Sequence, residues 1–166
     1  MRIFCLMLAL ISSAISGQVL ADGPCAKTQN TQFNFWLGSW KVLRPDGREA
    51  GINHIKSKHG GCVLSESYST KTGYQGESLN IYDASRDVWH QTWVDNTGLL
   101  LKLEGRFDGT SMVLQGKTKD KTGNDVQHKI TWTPNKNGTV RQHWQTAKKK
   151  EKWQTAFDGL YVKLKD

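Results

Sequence analysis

The chain has 166 residues, with 23 Lys and Arg against 15 Asp and Glu, seven Trp and only three Pro. That balance suits one compact domain and excludes a disordered chain, collagen and a coiled coil. No apolar run approaches the roughly 20 residues that a membrane-spanning helix requires, so no integral membrane segment is expected once the leader is removed.

Residues 1–21 read as a secretory signal. Met1-Arg2 is the short positive start, Ile3 to Ile11 the apolar stretch, and Val19-Leu20-Ala21 the small-residue end, with cleavage expected after Ala21. Cleavage removes Arg2, which lowers the formal charge from +8 to +7, and it removes Cys5. Cys25 and Cys62 remain, and two thiols in an oxidising compartment make one disulfide. The expected address is therefore periplasmic or secreted, and residues 22–166 are expected to form one domain.

The next element, Asn30 to Leu37, reads as a short helix serving as lid or plug, with Phe33, Trp36 and Leu37 on one side. From Gly38 onward the pattern changes to stretches rich in Val, Ile, Thr, Trp and Tyr, separated by turn residues. Ten strands are predicted. They run near Ser39 to Arg44, Ala50 to Lys58, Cys62 to Thr70, Gly76 to Tyr82, Val88 to Val94, Leu99 to Phe107, Ser111 to Thr118, Val126 to Thr133, Thr139 to Thr146, and Trp153 to Lys163. The breaks, such as Pro45-Asp46-Gly47, Thr72-Gly73 and Asp108-Gly109, are short and suit antiparallel neighbours. A meander of this length avoids exposed edges by closing, so the fold expected is an all-β, antiparallel up-and-down barrel. Ten strands enclose somewhat more space than the eight that just hold one small ligand.

The segment Phe33-Asn34-Phe35-Trp36-Leu37-Gly38-Ser39-Trp40 resembles the opening of the DUF1579-like group of small exported bacterial proteins, themselves similar to calycins such as lipocalins and nitrobindins. Gly61-Cys62 with Glu66, the stretch Gly76 to Asp83, and Trp89 to Asp95 with Gly98 extend the resemblance over nearly the whole mature chain. It implies a barrel with a ligand cavity and no particular activity. Gly38-x-Trp40 resembles the Gly-x-Trp of lipocalin first strands, where the indole closes one barrel end beneath a cation from the last strand. Lys163 is the candidate for that role, by cation–π attraction.

Strand alternation separates Trp89, Gln91 and Trp93 from their neighbours, and Ser78, Asn80 and Tyr82 from Leu79 and Ile81. The first set on each strand mixes rings with amides and hydroxyls, as a ligand-holding interior does. Sequence does not settle which face points inward, because slipping a strand by one residue exchanges the two. Glu66 lies in phase with Leu64 and Tyr68, and a buried carboxylate requires a partner; Arg106, Lys102 and Arg141 are the candidates.

No metal is expected, because the five His form no pairs at ligand spacing and no Cys/His cluster exists. Nitrobindin-like barrels hold haem through a His, a role that would fall to His143 or His128; no cofactor is expected. Nucleotide and nucleophile motifs do not occur, and nucleic acid is not expected as a partner.

The favoured reading is a monomer that binds a small, partly apolar molecule, with Glu66, Asn80, Tyr82, Trp89, Gln91 and Trp93 as lining. Two alternatives stay open. One is a hydrolase, lyase or isomerase using Glu66 as acid or base with Tyr82 assisting; the other is an envelope or protein-interaction module using the basic exterior.

Overall fold

A computed structural model describes residues 23–148 and 151–165; the expected secretory signal and Cys5 lie outside the described residues. Ten strands follow one another as β1 (Gly38–Leu43), β2 (Glu49–Lys58), β3 (Val63–Ser69), β4 (Gln75–Asp83), β5 (Val88–Asp95), β6 (Leu100–Phe107), β7 (Met112–Lys119), β8 (Asp125–Pro134), β9 (Val140–Lys148) and β10 (Gln154–Lys163). Each pairs antiparallel with the next. β1 also pairs with β10, from Trp40 opposite Lys163 to Leu43 opposite Leu160, so the sheet closes into a barrel with no free edge.

The turns follow from the Asp residues that precede them. Asp83, Asp95, Asp108 and Asp120 each accept a hydrogen bond from the backbone N–H two residues on, at 2.8–3.0 Å, which fixes the reversal before the next strand starts. Within the strands, alternation sends Leu64, Glu66 and Tyr68 of β3 inward, Leu101 and Leu103 of β6, and Met112 and Leu114 of β7. On β4 the usual preference is inverted. Ser78 and Asn80 face the interior, while Leu79 is 58% exposed and Ile81 39% exposed. A polar pair directed inward at the expense of two aliphatic residues marks a place where something other than core packing set the sequence.

One end of the barrel is plugged. The single helix expected over Asn30 to Leu37 is replaced by a four-residue helix, α1 (Thr28–Thr31), and a separate 3₁₀ turn, Asn34–Trp36. The cause is Phe33, whose φ of −100° and ψ of 3° interrupt the helix. The three-residue spacing of the 3₁₀ turn then carries Phe33 and Trp36 to one side, stacked with centroids 5.0 Å apart. Both are fully buried. Phe33 meets Trp132 at 5.2 Å and Trp89 at 5.6 Å, and Trp36 lies 5.4 Å from Trp132.

Trp40 donates its indole N–H to the Trp36 carbonyl at 2.8 Å, and Lys163 Nζ stands 5.1 Å from the Trp40 ring centroid. The Cys25–Cys62 disulfide joins the segment before the plug to the start of β3. These buried rings occupy the closed end, so any ligand is to be sought toward the opposite end.

Candidate functional site

The open half of the barrel encloses a cavity of about 720 Å³. Its rim carries Arg44, Pro45 and Asp46 of the first turn and Thr70 and Thr72 of the third. Aromatic walls come from Tyr68, Tyr74, Trp93, Trp144 and Phe157, and the deeper surface from Glu66, Gln91, Leu101, Ile130 and Tyr161.

The space stays open because three of those rings are laid along the wall over glycines. A Cβ at Gly51 would fall 2.7 Å from the Tyr68 ring, one at Gly76 would fall 2.3 Å from Trp93, and one at Gly159 would fall 2.6 Å from Phe157. A side chain at any of these positions would push its ring toward the lumen.

A chain of buried polar groups runs beside the cavity. Gln91 Nε2 donates to Asn80 Oδ1 at 2.8 Å, Asn80 Nδ2 to Ser78 Oγ at 2.9 Å, and Ser78 Oγ to Glu66 Oε2 at 2.6 Å. From the other side Asn53 Nδ2 donates to Glu66 Oε1 at 2.7 Å and to Tyr161 Oη at 3.3 Å, and Tyr161 in turn donates to Gln142. Burial pushes the Glu66 carboxyl up to about 7, against the hydrogen bonds from Ser78 and Asn53, which favour the ionised form. Burial likewise holds the Tyr161 hydroxyl well above its ordinary range, and the neighbouring Glu66 adds to this. A carboxyl group poised near neutrality in an aromatic cavity can anchor a hydrogen-bond donor or exchange a proton.

Near the mouth, partial burial works against ionising Asp95. Donors on Thr97, Tyr74 and Trp93 overcome it and hold the carboxylate at about 2. Asp95 thereby ties Tyr74 (2.9 Å) and Trp93 (3.2 Å) into fixed orientations. Across the cavity, Trp144 donates its indole N–H to His128 Nδ1 at 3.1 Å, which places the ring proton on Nε2, facing Thr118 Oγ1 at 2.8 Å. Burial lowers the His128 pKa below its ordinary value.

Of the six lining candidates, Glu66, Gln91 and Trp93 border the cavity. Asn80 is fully buried one hydrogen bond behind Gln91. Trp89 and Tyr82 are not brought there. Trp89 belongs to the plugged end, against Phe33, with its N–H 3.4 Å from Gln32, and Tyr82 packs on Trp89 and donates to Asp87. The cations expected to partner Glu66 do not reach it either. Lys102, Arg106 and Arg141 sit on outward positions of β6 and β9; Arg106 pairs with Asp87, and Arg141 with Asp158 at the cavity rim.

Asn53, Tyr68, Tyr161, Gln142 and Trp144 are site residues that sequence reading did not single out. Tyr68 was reachable from its phase with Glu66, and Asn53 from the β2–β3 hairpin, where it lies opposite Tyr68; Tyr161 joins this group only through barrel closure. Among the described residues no three His, Cys, Asp or Glu side chains converge on a metal position. His143 Nε2 pairs with Thr155 on the exposed side. No protein-family model matches the chain, and no curated protein matches it.

Proposed function

We propose that this protein binds a small, partly apolar molecule inside the barrel. The observation that carries the reading is a roughly 720 Å³ cavity walled by aromatic rings, with one buried carboxyl at its side. Flat rings supply contact area, while Glu66 and Gln91 supply orientation, the usual division of labour in a small-molecule site. The resemblance to small exported barrels points the same way. The disulfide fits an oxidising compartment, so a periplasmic or secreted monomer is proposed.

The test is native mass spectrometry of protein purified from its source, with saturable quenching of Trp93 and Trp144 fluorescence by added apolar compounds. A carried small molecule or saturable quenching is expected; neither, over a broad panel, would refute the reading.

A second reading, turnover in the same cavity with Glu66 as acid or base, is favoured by its carboxyl lying at about 7, near working pH. Tyr82 takes no part in it, since it lies at the opposite end. Product formation that Glu66→Gln abolishes while binding survives would select this reading.

A further inference from the structure

Resting on the reading that the cavity holds a small molecule, we infer that its occupant is an organic amine. A protonated primary or secondary nitrogen sits on Glu66, with its apolar body against Tyr68, Trp93 and Phe157.

Three observations carry this. The first is charge. The Glu66 side chain borders the cavity and the residue is 5% exposed, yet its hydrogen-bond partners, Ser78 and Asn53, are both neutral. No cation appears among the groups that act on it. A buried carboxyl without a cation beside it holds its proton toward neutral pH and ionises readily only when a positive charge arrives, and no side chain of the described residues supplies one to Glu66.

The second is the direction of the protons. The run from Gln91 through Asn80 and Ser78 donates step by step toward Glu66 Oε2, and Asn53 donates to Oε1. Donors aligned in this way stabilise negative charge on the carboxylate. Asn53 Oδ1, buried with no hydrogen-bond partner among the described residues, is one further acceptor next to Glu66. An ammonium brings three N–H donors and accepts nothing, so it complements this set; a carboxylate or phosphate ligand opposes it.

The third is the wall. Tyr68, Trp93 and Phe157, held close over Gly51, Gly76 and Gly159, line the cavity, and aromatic rings attract a cation as well as an apolar body. The other carboxylates at the rim are already matched: Asp46 pairs with Arg48, and Asp158 with Arg141. Arg44 stands exposed at the rim.

Around Glu66, β2 contributes Asn53, β4 Ser78 and Asn80, and β5 Gln91, none of which titrates. β3 contributes Tyr68 and β10 Tyr161, both raised by burial. His128 on β8 is held by Thr118 and Trp144 and does not border the cavity. Glu66 is therefore the group whose charge governs amine binding between mildly acid and mildly alkaline pH.

The experiment is isothermal titration calorimetry of the oxidised protein with three probes of one shape: 1-naphthylmethylamine, 1-naphthalenemethanol and 1-naphthoic acid. Near pH 8.5 the amine is expected to bind more than about tenfold tighter than the alcohol, and the acid more weakly than either. Near pH 6, in buffers of different ionisation enthalpy, amine binding is expected to release about one proton, and alcohol binding none. In Glu66→Gln the amine and the alcohol are expected to bind alike with no proton release. The wild-type comparison stands by itself where that variant does not fold. Alcohol or acid binding as tightly as the amine, or amine binding without proton release near pH 6, overturns the amine inference and leaves the cavity reading intact. No saturable binding of any probe overturns both.

Discussion

Replacing Glu66 with Gln tests the electrostatics at the centre of the cavity through stability rather than binding. In the unfolded chain the carboxyl ionises near its ordinary value of 4.5, whereas in the barrel burial delays ionisation to about 7. Below 4.5 both states are protonated and the group exerts no penalty. Between the two values the folded state holds a proton that the unfolded state has released, so stability falls as pH rises, and above 7 the loss is complete. At 1.36 kcal/mol for each pH unit between the two, the loss is on the order of 3 kcal/mol.

Gln keeps an acceptor for Ser78 but not the charge. The assay is urea unfolding of wild type and Glu66→Gln, disulfide intact, at a series of pH values from about 5 to 8.5. Packing and hydrogen-bond mismatch shift the variant by a constant, and the His128 contribution is common to both, so the change with pH in their difference isolates Glu66. Relative to pH 5, the variant is expected to gain on the wild type by up to about 3 kcal/mol at pH 8.5. Parallel curves over that interval would show that Glu66 ionises in the barrel as it does in water, and the reasoning would fail.

Gly76→Ala places a Cβ 2.3 Å from the Trp93 ring and 2.8 Å from the Val94 carbonyl, so it is expected to destabilise by about 1–3 kcal/mol in urea and to shift the Trp fluorescence. An unchanged midpoint and spectrum would contradict the account of the open wall. The oxidised protein is expected to show no free thiol after unfolding. With a sequence separation of 37 between the bonded cysteines, the Cys25→Ser/Cys62→Ser protein is expected to lose on the order of 3–4 kcal/mol, whereas equal stability would contradict this. Lys163→Gln removes the cation 5.1 Å from Trp40 and is expected to cost about 0.5–1 kcal/mol by thermal or urea unfolding, the size usual for an exposed pair.

The strands were legible because two signals agree along the whole chain, alternation within each stretch and an Asp or Gly turn between stretches. Order and closure then follow from short connections and the penalty on free edges. Depth along the barrel axis was not legible. Trp89 and Trp93 share one face of β5, but four residues of strand separate them by about 13 Å, enough to place one against the plug and the other at the cavity. Nothing in the local pattern indicates how far the plug reaches.

The partners of Glu66 illustrate the opposite case. The alternation that sends Leu101 and Leu103 inward also sends Lys102 outward, so the cation hypothesis was correctable from the sequence itself. Asn53 follows from the register of the β2–β3 hairpin, whereas Tyr161 was not legible, because it meets Asn53 only when β10 closes on β1, over 108 positions of sequence. The helix at Asn30 to Leu37 failed for a local reason: docking Phe33 and Trp36 into one pocket at three-residue spacing favours a 3₁₀ turn over a continuous helix.

On the proposed function, the open half of the barrel is a hollow kept for a ligand beside Glu66. The most direct measurement is an experimental density map of the oxidised protein purified from its source and crystallised without added ligand. Density for an organic molecule is expected between Trp93, Phe157 and Tyr68, with a polar atom at hydrogen-bond distance from Glu66. A lumen filled by its own side chains, with Trp93 and Phe157 turned inward and Glu66 paired to Arg44 or another side-chain cation, would contradict it.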